Sequence, residues 1–246
     1  MKLVIALATV AGLLTPATAA LAAPTAPSTV RPTLVARWTF DAAVGTTIAD
    51  TSRRRGAPAL TVRAADSGAI RFLAATHGGK FAAFPLACTD DANCPRAMFE
   101  APSVPDLNPG THLFRWGATI RVLKSQVKGS ANVMQKGVAK GSSQWKMQIG
   151  ATAGRLQCVL NGVGSTVMYI ARSASTVADG SWHKAICERN GTQLGVYVDG
   201  FRRGSVTIPS TLSITNTKPL RIGGPNFNTR SDMFHGYIDD VYAELG

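Results

Sequence analysis

Any chemistry in this 246-residue chain has to come from a short list of side chains: four cysteines, four histidines and fourteen acidic groups set against twenty-six lysines and arginines. Only Glu100, Glu188 and Glu244 are glutamates, and none belongs to a Glu-x-Asp-x-x-Glu run that would bring two carboxyls to one strand face, as glycosidic cleavage needs. Glu100 falls in a proline-containing region that reads as a turn, Glu188 follows Cys187, and Glu244 lies near the terminus. The chain has no Gly-x-Ser-x-Gly elbow, no His-Glu-x-x-His pair and no phosphate loop. His77, His112, His183 and His235 are scattered, which argues against structural zinc with its closely spaced ligands. These patterns point away from an enzyme and towards a binding protein.

The cysteines take their meaning from the N-terminus. Met1-Lys2 precedes an apolar run over 3–14, followed by small-residue sites at Ala17-Thr18-Ala19 and Ala20-Leu21-Ala22. This is the pattern of a secretory signal peptide, expected over 1–22. A proline-rich, extended leader is expected over 23–33. The apolar run is shorter than the roughly 18 residues a spanning helix requires, so the mature chain is expected to be secreted and not membrane-embedded. Outside the cytosol four thiols read most simply as two disulfides. Local pairing gives Cys88–Cys94 around a turn-rich pentapeptide and Cys158–Cys187 between two apolar runs. By loop entropy these contribute about 2 and about 3 to 4 kcal/mol.

Positioning falls to strands. Short runs rich in Val, Ile, Thr, Tyr, Phe and Trp recur from about residue 34 onwards, broken every eight to twelve residues or so by Gly, Pro, Asn, Asp or Ser. The clearest is Gln193-Leu194-Gly195-Val196-Tyr197-Val198, which puts Leu194, Val196 and Val198 on one face before an Asp199-Gly200 hairpin turn. No segment holds a helical period over three turns. About a dozen strands predict an all-β, two-sheet antiparallel sandwich of the jelly-roll type over 34–246. Near the C-terminus Ile238 and Val241 are three apart, so burying both requires a bulge at Asp239-Asp240.

Four motifs in order carry a family resemblance: Asp179-Gly180-Ser181-Trp182-His183-Lys184, the Val196–Gly200 hairpin, Leu220-Arg221-Ile222-Gly223-Gly224, and Phe234-His235-Gly236-Tyr237-Ile238-Asp239-Asp240-Val241. With Arg37-Trp38-Thr39-Phe40-Asp41 at the start, the chain resembles laminin-G-like, concanavalin A-like lectin/glucanase domains of secreted bacterial type. The resemblance implies a jelly roll and a structural calcium ion at the sandwich rim, with Asp41 and Asp239 as its first candidate ligands; calcium is the one cofactor implied. Arg53-Arg54-Arg55 departs from the glycine- and asparagine-rich loop often found there. Polysaccharide lyases of this architecture need a dense polar strand face, and the nearest run, Trp145-Lys146-Met147-Gln148-Ile149, offers one suitable group without a matching partner.

The formal charge of +12 favours anionic extracellular polymers, bound in a salt-sensitive way. Basic clusters are read at Arg53-Arg54-Arg55, at Arg202-Arg203 and across Lys136, Lys140 and Lys146. Nucleic acid is not expected, because no basic strand is interleaved with aromatics. For neutral sugars an exposed aromatic is needed, and Phe227, in a polar loop with little core to offer, is the candidate. The sequence therefore predicts a secreted, non-catalytic domain binding carbohydrate or an anionic cell-wall or extracellular polymer. Its alternatives are a jelly-roll polysaccharide-cleaving enzyme, which requires convergent carboxylates, and a protein-interaction domain. A binding module instead requires a groove or end-loop patch free of such a pair.

Overall fold

The computed structural model describes residues 31–89, 93–228 and 231–246. The expected signal peptide, and all of the expected leader before Arg31, lie outside the described residues. In chain order the first strands are β1 Thr33–Trp38, β2 Thr47–Ile48, β3 Leu60–Ala65, β4 Arg71–Ala74, β5 Lys80–Ala83, β6 Arg96–Ala101, β7 Phe114–Leu123 and β8 Ala131–Gly137. There follow β9 Gln144–Ile149, β10 Arg155–Asn161, β11 Met168–Thr176, β12 Asp179–Asn190, β13 Gln193–Val198, β14 Phe201–Thr207, β15 Leu220–Ile222 and β16 Tyr237–Leu245. Helix among the described residues is limited to the 3-10 turns Pro105–Leu107 and Lys124–Gln126.

All pairings are antiparallel and form two sheets. Sheet A runs β14-β13-β12-β7-β16-β5-β4, with β1 added beside β16, and sheet B runs β11-β10-β9-β8-β15-β6-β3-β2. The period of two explains the sandwich: β7 buries Phe114, Trp116, Ala118, Ile120 and Val122, and β9 buries Trp145, Met147 and Ile149. Their inward rows meet in one apolar core. At one end of it Phe114 lies 5.4 Å from Trp116 and 5.3 Å from Trp145, ring centre to ring centre. The Trp145 indole N–H donates to the Leu107 carbonyl at 3.0 Å, so the short turn before β7 is tied to the core.

Cys158 of β10 is bonded to Cys187 of β12, joining sheet B to sheet A through fully buried sulfurs, and Cys88 is bonded to Cys94. The bulge predicted in the last strand is present: Ile238 and Val241 are both buried, the register against β7 shifts between Asp239 and Tyr242, and Asp240 takes φ +44°. This kink lets the first part of β16 pair with β5 and the second part with β1.

One placement corrects the sequence reading. Glu100 is not in a turn but in β6, opposite Arg221 of β15. The strand Arg-Ala-Met-Phe-Glu-Ala is buried on both faces at its middle, so it lacks alternation, and its flanking prolines disguise it further.

Candidate functional site

Sheet B ends in a set of loops on one side of the sandwich. Gly137, Gln144, Asn161 and Met168 stand in one cross-strand row, so the connections leaving β8 and β10 emerge together. Residues 103–108, after β6, and 215–218, before β15, close the same end. Between these four segments lies a cleft of about 1360 Å³. Its walls combine hydroxyl and amide side chains, including Ser103, Asn108, Ser143, Ser165 and Asn216, with the apolar surface of Val104, Pro105 and Val163; Lys218 stands at one side and no carboxylate is in the lining.

A hydrogen-bond network holds the loops in place. Lys136 is on the core-facing side of β8, fully buried, and its ammonium donates to Asn108 Oδ1 at 2.6 Å, to the Asn216 carbonyl at 2.7 Å and to Asn216 Oδ1 at 3.1 Å. Three protons meet three acceptors, which satisfies the amine without a counter-charge. Burial pushes this amine down to about 8. Asn216 Nδ2 donates to the Ser143 carbonyl at 3.0 Å, and Ser143 Oγ donates to the Thr215 carbonyl at 2.9 Å. Gly137, at φ +88°, makes the approach possible, since a Cβ there would sit 1.9 Å from the Ser143 carbonyl oxygen. The result is a preset, neutral-to-cationic basin that offers donors and acceptors to hydroxyl groups and has no carboxylate in its lining.

The sequence candidates divide between the two ends of the molecule. The arginine loop borders the cleft: Arg54 Nε donates to Asp106 Oδ2 at 2.7 Å, one residue beyond the cleft-lining Pro105. Asp106 offsets the middle charge, while Arg53 and Arg55 are exposed and have no side-chain partner among the described residues. Phe227 lies elsewhere. Its carbonyl accepts from Arg96 at the opposite end of β6, and its side chain is half-buried, so the structure does not bring it to the arginines. The basic cluster read across Lys136, Lys140 and Lys146 is not a surface patch, because Lys136 and Lys146 are both buried. Lys146 instead pairs with Asp232 at 3.5 Å.

Asp41 and Asp239 are brought into electrostatic contact. Burial, with the charges of Asp41 and Asp240, pushes the Asp239 carboxyl up to about 6, even though it accepts from the Asp240 amide at 2.7 Å. Asp240 itself is paired with Arg37 at 2.6 Å. Among the described residues no group of three His, Cys, Asp or Glu side chains is placed to hold a metal. A half-buried carboxylate crowded by others is chemically suited to a hard dication, with main-chain oxygens completing its shell.

Sequence reasoning missed two surfaces. On the outer face of sheet B, Lys146 and Gln148 do have partners: Gln144 Nε2 and Asn132 Nδ2 both donate to Gln135 Oε1, Gln148 Nε2 donates to Gln157 Oε1 at 2.7 Å, and Arg221 Nε donates to Glu100 Oε2 at 2.9 Å. The matching groups come from five strands, which no single run reveals. On the outer face of sheet A, Phe81, Trp182 and Tyr237 form an aromatic cluster with Phe81 5.2 Å from Trp182 and 5.3 Å from Tyr237. Its signal was parity: Trp182 is out of phase with the inward Ala185 and Cys187.

His183, adjacent and on the opposite side of β12, bonds Asp199 Oδ2 through Nδ1 at 2.8 Å and Asp179 Oδ1 through Nε2 at 3.1 Å. It is a satisfied imidazole closing the β12–β13 hairpin end.

The profile of a family described as the concanavalin A-like lectin/glucanases superfamily matches residues 119–243. No curated protein matches the sequence. Among solved structures, domain 4 of AbnA, an extracellular GH43 arabinanase from Geobacillus stearothermophilus solved with arabinotriose, is similar with TM-score 0.64 at 15% identity, covering 87% of this chain and 93% of that one. The binding domain of botulinum neurotoxin DC, solved with SialylT, gives TM-score 0.61 at 10% identity over 86% of this chain and 48% of that one. The binding domain of Paraclostridial Mosquitocidal Protein 1 gives 0.62 at 14%, again over 86% of this chain and 48% of that one. This chain therefore spans about half of each toxin domain.

Proposed function

The chain belongs to the concanavalin A-like lectin/glucanase superfamily, and from that premise we propose that it is a secreted, non-catalytic module, spanning about 34–246, that binds carbohydrate in the cleft at the end of sheet B. The observation that carries this reading is the lining itself. Hydroxyls and amides from four segments, preset by the Lys136–Asn108–Asn216–Ser143 network, share one basin with the apolar surface of Val104, Pro105 and Val163, and no carboxylate lies in it; hydroxyl-bonding groups beside apolar patches match the two kinds of face a sugar ring presents. Sugars offer dense hydroxyl groups, and preordered polar donors and acceptors recognise them without paying to organise loops on binding. Arabinotriose on the AbnA domain and SialylT on the botulinum domain support the sugar class. The exposed Arg53 and Arg55, in the loop that Arg54 ties to Asp106 beside the cleft, add a preference for acidic chains over neutral ones, weakening with salt.

Polysaccharide cleavage is the second reading, favoured by the outer face of sheet B, where Glu100 and Asp232 stand among Gln135, Lys146 and Arg221. Each carboxylate is already ion-paired, to Arg221 and to Lys146, which leaves neither poised as a proton donor.

The test is retention of the mature protein on immobilised neutral and acidic polysaccharides, with released sugar assayed in the same incubations. The expected result is retention without release, reduced at least tenfold by Asn216→Ala. Release of oligosaccharide that is lost in Glu100→Gln would replace this reading with the second.

A further inference from the structure

At the end of the sandwich opposite the cleft, sheet A presents a surface that the sugar reading does not use. The registers place Arg71, Ala83, Tyr237, Arg121 and Trp182 in a single row across β4, β5, β16, β7 and β12. Ala83 is small, so the row dips between the arginines into a pocket of about 230 Å³. Arg121 is preset there: its Nε donates to the Gly180 carbonyl at 2.7 Å and its guanidinium lies over the Tyr237 ring at 5.8 Å. Neither Arg71 nor Arg121 has a salt-bridge partner among the described residues, and no carboxylate lines the pocket.

The pocket's rim is apolar. Leu73, Leu86 and Leu123 line it at 38%, 67% and 55% exposure, and Trp182, next in the row, is 38% exposed. Three exposed leucines lining one cationic pocket, with the exposed Trp182 opposite Arg121 in the same row, give an apolar rim of the kind that marks an interaction surface. Its ligand must combine a localised anion with an apolar body. A hydrated polysaccharide supplies the anion but nothing to cover three leucines, whereas an anionic phospholipid surface supplies both: phosphates for the arginine pair, and the acyl boundary for the leucines and the tryptophan edge.

We propose that this end of sheet A, built from Arg71, Arg121, Leu73, Leu86, Leu123 and Trp182, docks the folded domain peripherally onto an anionic phospholipid surface. This contact does not involve the cleft, so a failure here leaves the sugar reading untouched. Docking in this way leaves the cleft, at the far end, facing away from the bilayer.

The experiment is co-sedimentation of the mature protein with vesicles of phosphatidylcholine alone and of phosphatidylcholine mixed with phosphatidylglycerol, at low and physiological salt. Partitioning is expected only with phosphatidylglycerol. Arg71→Gln should weaken it about fivefold, and the double variant Leu86→Ser, Leu123→Ser should weaken it at least as much. These side chains are exposed, and a thermal melt of each variant verifies the fold. Absence of partitioning, equal partitioning onto both vesicles, or partitioning that falls in Arg71→Gln but is unchanged in the leucine variant would each overturn the proposal, the last by reducing it to a generic polyanion effect.

Discussion

Lys136 is the residue on which the cleft depends, because a single buried ammonium fixes Asn108 and Asn216 at once. Lys136→Met removes a buried charge, which is favourable, and takes the ammonium donor from the half-buried Asn108 and Asn216 acceptors, a loss of at most about 1–3 kcal/mol each because water in the open cleft replaces part of the bonding. The two effects oppose one another, so the melting temperature is expected to move little while sugar retention falls at least tenfold. A melt and a retention assay on the same preparation separate these outcomes.

His183 behaves differently. Burial alone would lower its pKa, but the bonds to Asp199 and Asp179 outweigh that and raise it. Its proton is bound more tightly in the folded state, so the clamp's contribution is whole below the ordinary imidazole range and is lost as pH rises through the folded pKa. On the acid side, the Ser181 amide and His183 hold Asp179 below the usual carboxylate range; burial would raise Asp199, but the His183 bond, the Lys184 amide and the nearby positive charges together hold it low. The contribution is then lost as pH falls through those lowered values. Both carboxylates are nearly half exposed, so His183→Asn is expected to cost only ~0.5 kcal/mol near pH 5, and progressively less as pH rises above the ordinary imidazole range, as denaturant titrations would read.

For Asp41 and Asp239 the prediction concerns calcium. Saturation at about a hundredfold excess over Kd should raise the melting temperature by about 5 to 10 °C, and Asp239→Asn should abolish the rise. No rise in the unmodified protein would remove these residues as ligands.

At the scale of elements, legibility followed burial pattern. Strands with one wet face, such as β7, β12 and β13, alternate and can be read directly. β6 cannot, because its middle is covered on both sides, and with it went the position of Glu100. β9 shows the same limit for function. Gln144, Lys146 and Gln148 share its outer face, but their partners come from β8, β10 and the chain after β15, and that convergence exists only once the sheet is assembled. The cleft was equally hidden. Its serines, threonines and asparagines are ordinary loop residues, and Lys136 looks like a surface cation until the sheet register turns it inward. By contrast, the Asp239-Asp240 bulge was legible because two buried aliphatic residues at a spacing of three admit no regular strand.

The whole molecule is two eight-stranded sheets held face to face by one core and one inter-sheet disulfide. Replacing Cys158 and Cys187 by Ala is expected to cost about 3 to 4 kcal/mol, or about 10 °C in melting temperature, because the bridge restrains the unfolded chain across a long loop. A much smaller loss would place the sheet-to-sheet attachment in the Phe114–Trp116–Trp145 packing. Fold family and cysteine pairing were accessible from motifs and compartment. The polar cleft at one end and the arginine pocket at the other were not, since each arises from which strands and loops the two sheets bring together.

The central claim, a sugar site confined to the end of sheet B, is tested most directly by titrating the isotope-labelled mature protein with a panel of neutral and acidic oligosaccharides and following backbone amide shifts. The account predicts saturable shifts in residues 103–108, 141–143, 163–166 and 215–218, absent in Asn216→Ala. Shifts centred on Gln135, Lys146 and Gln157, or no shift with any member of the panel, would contradict it.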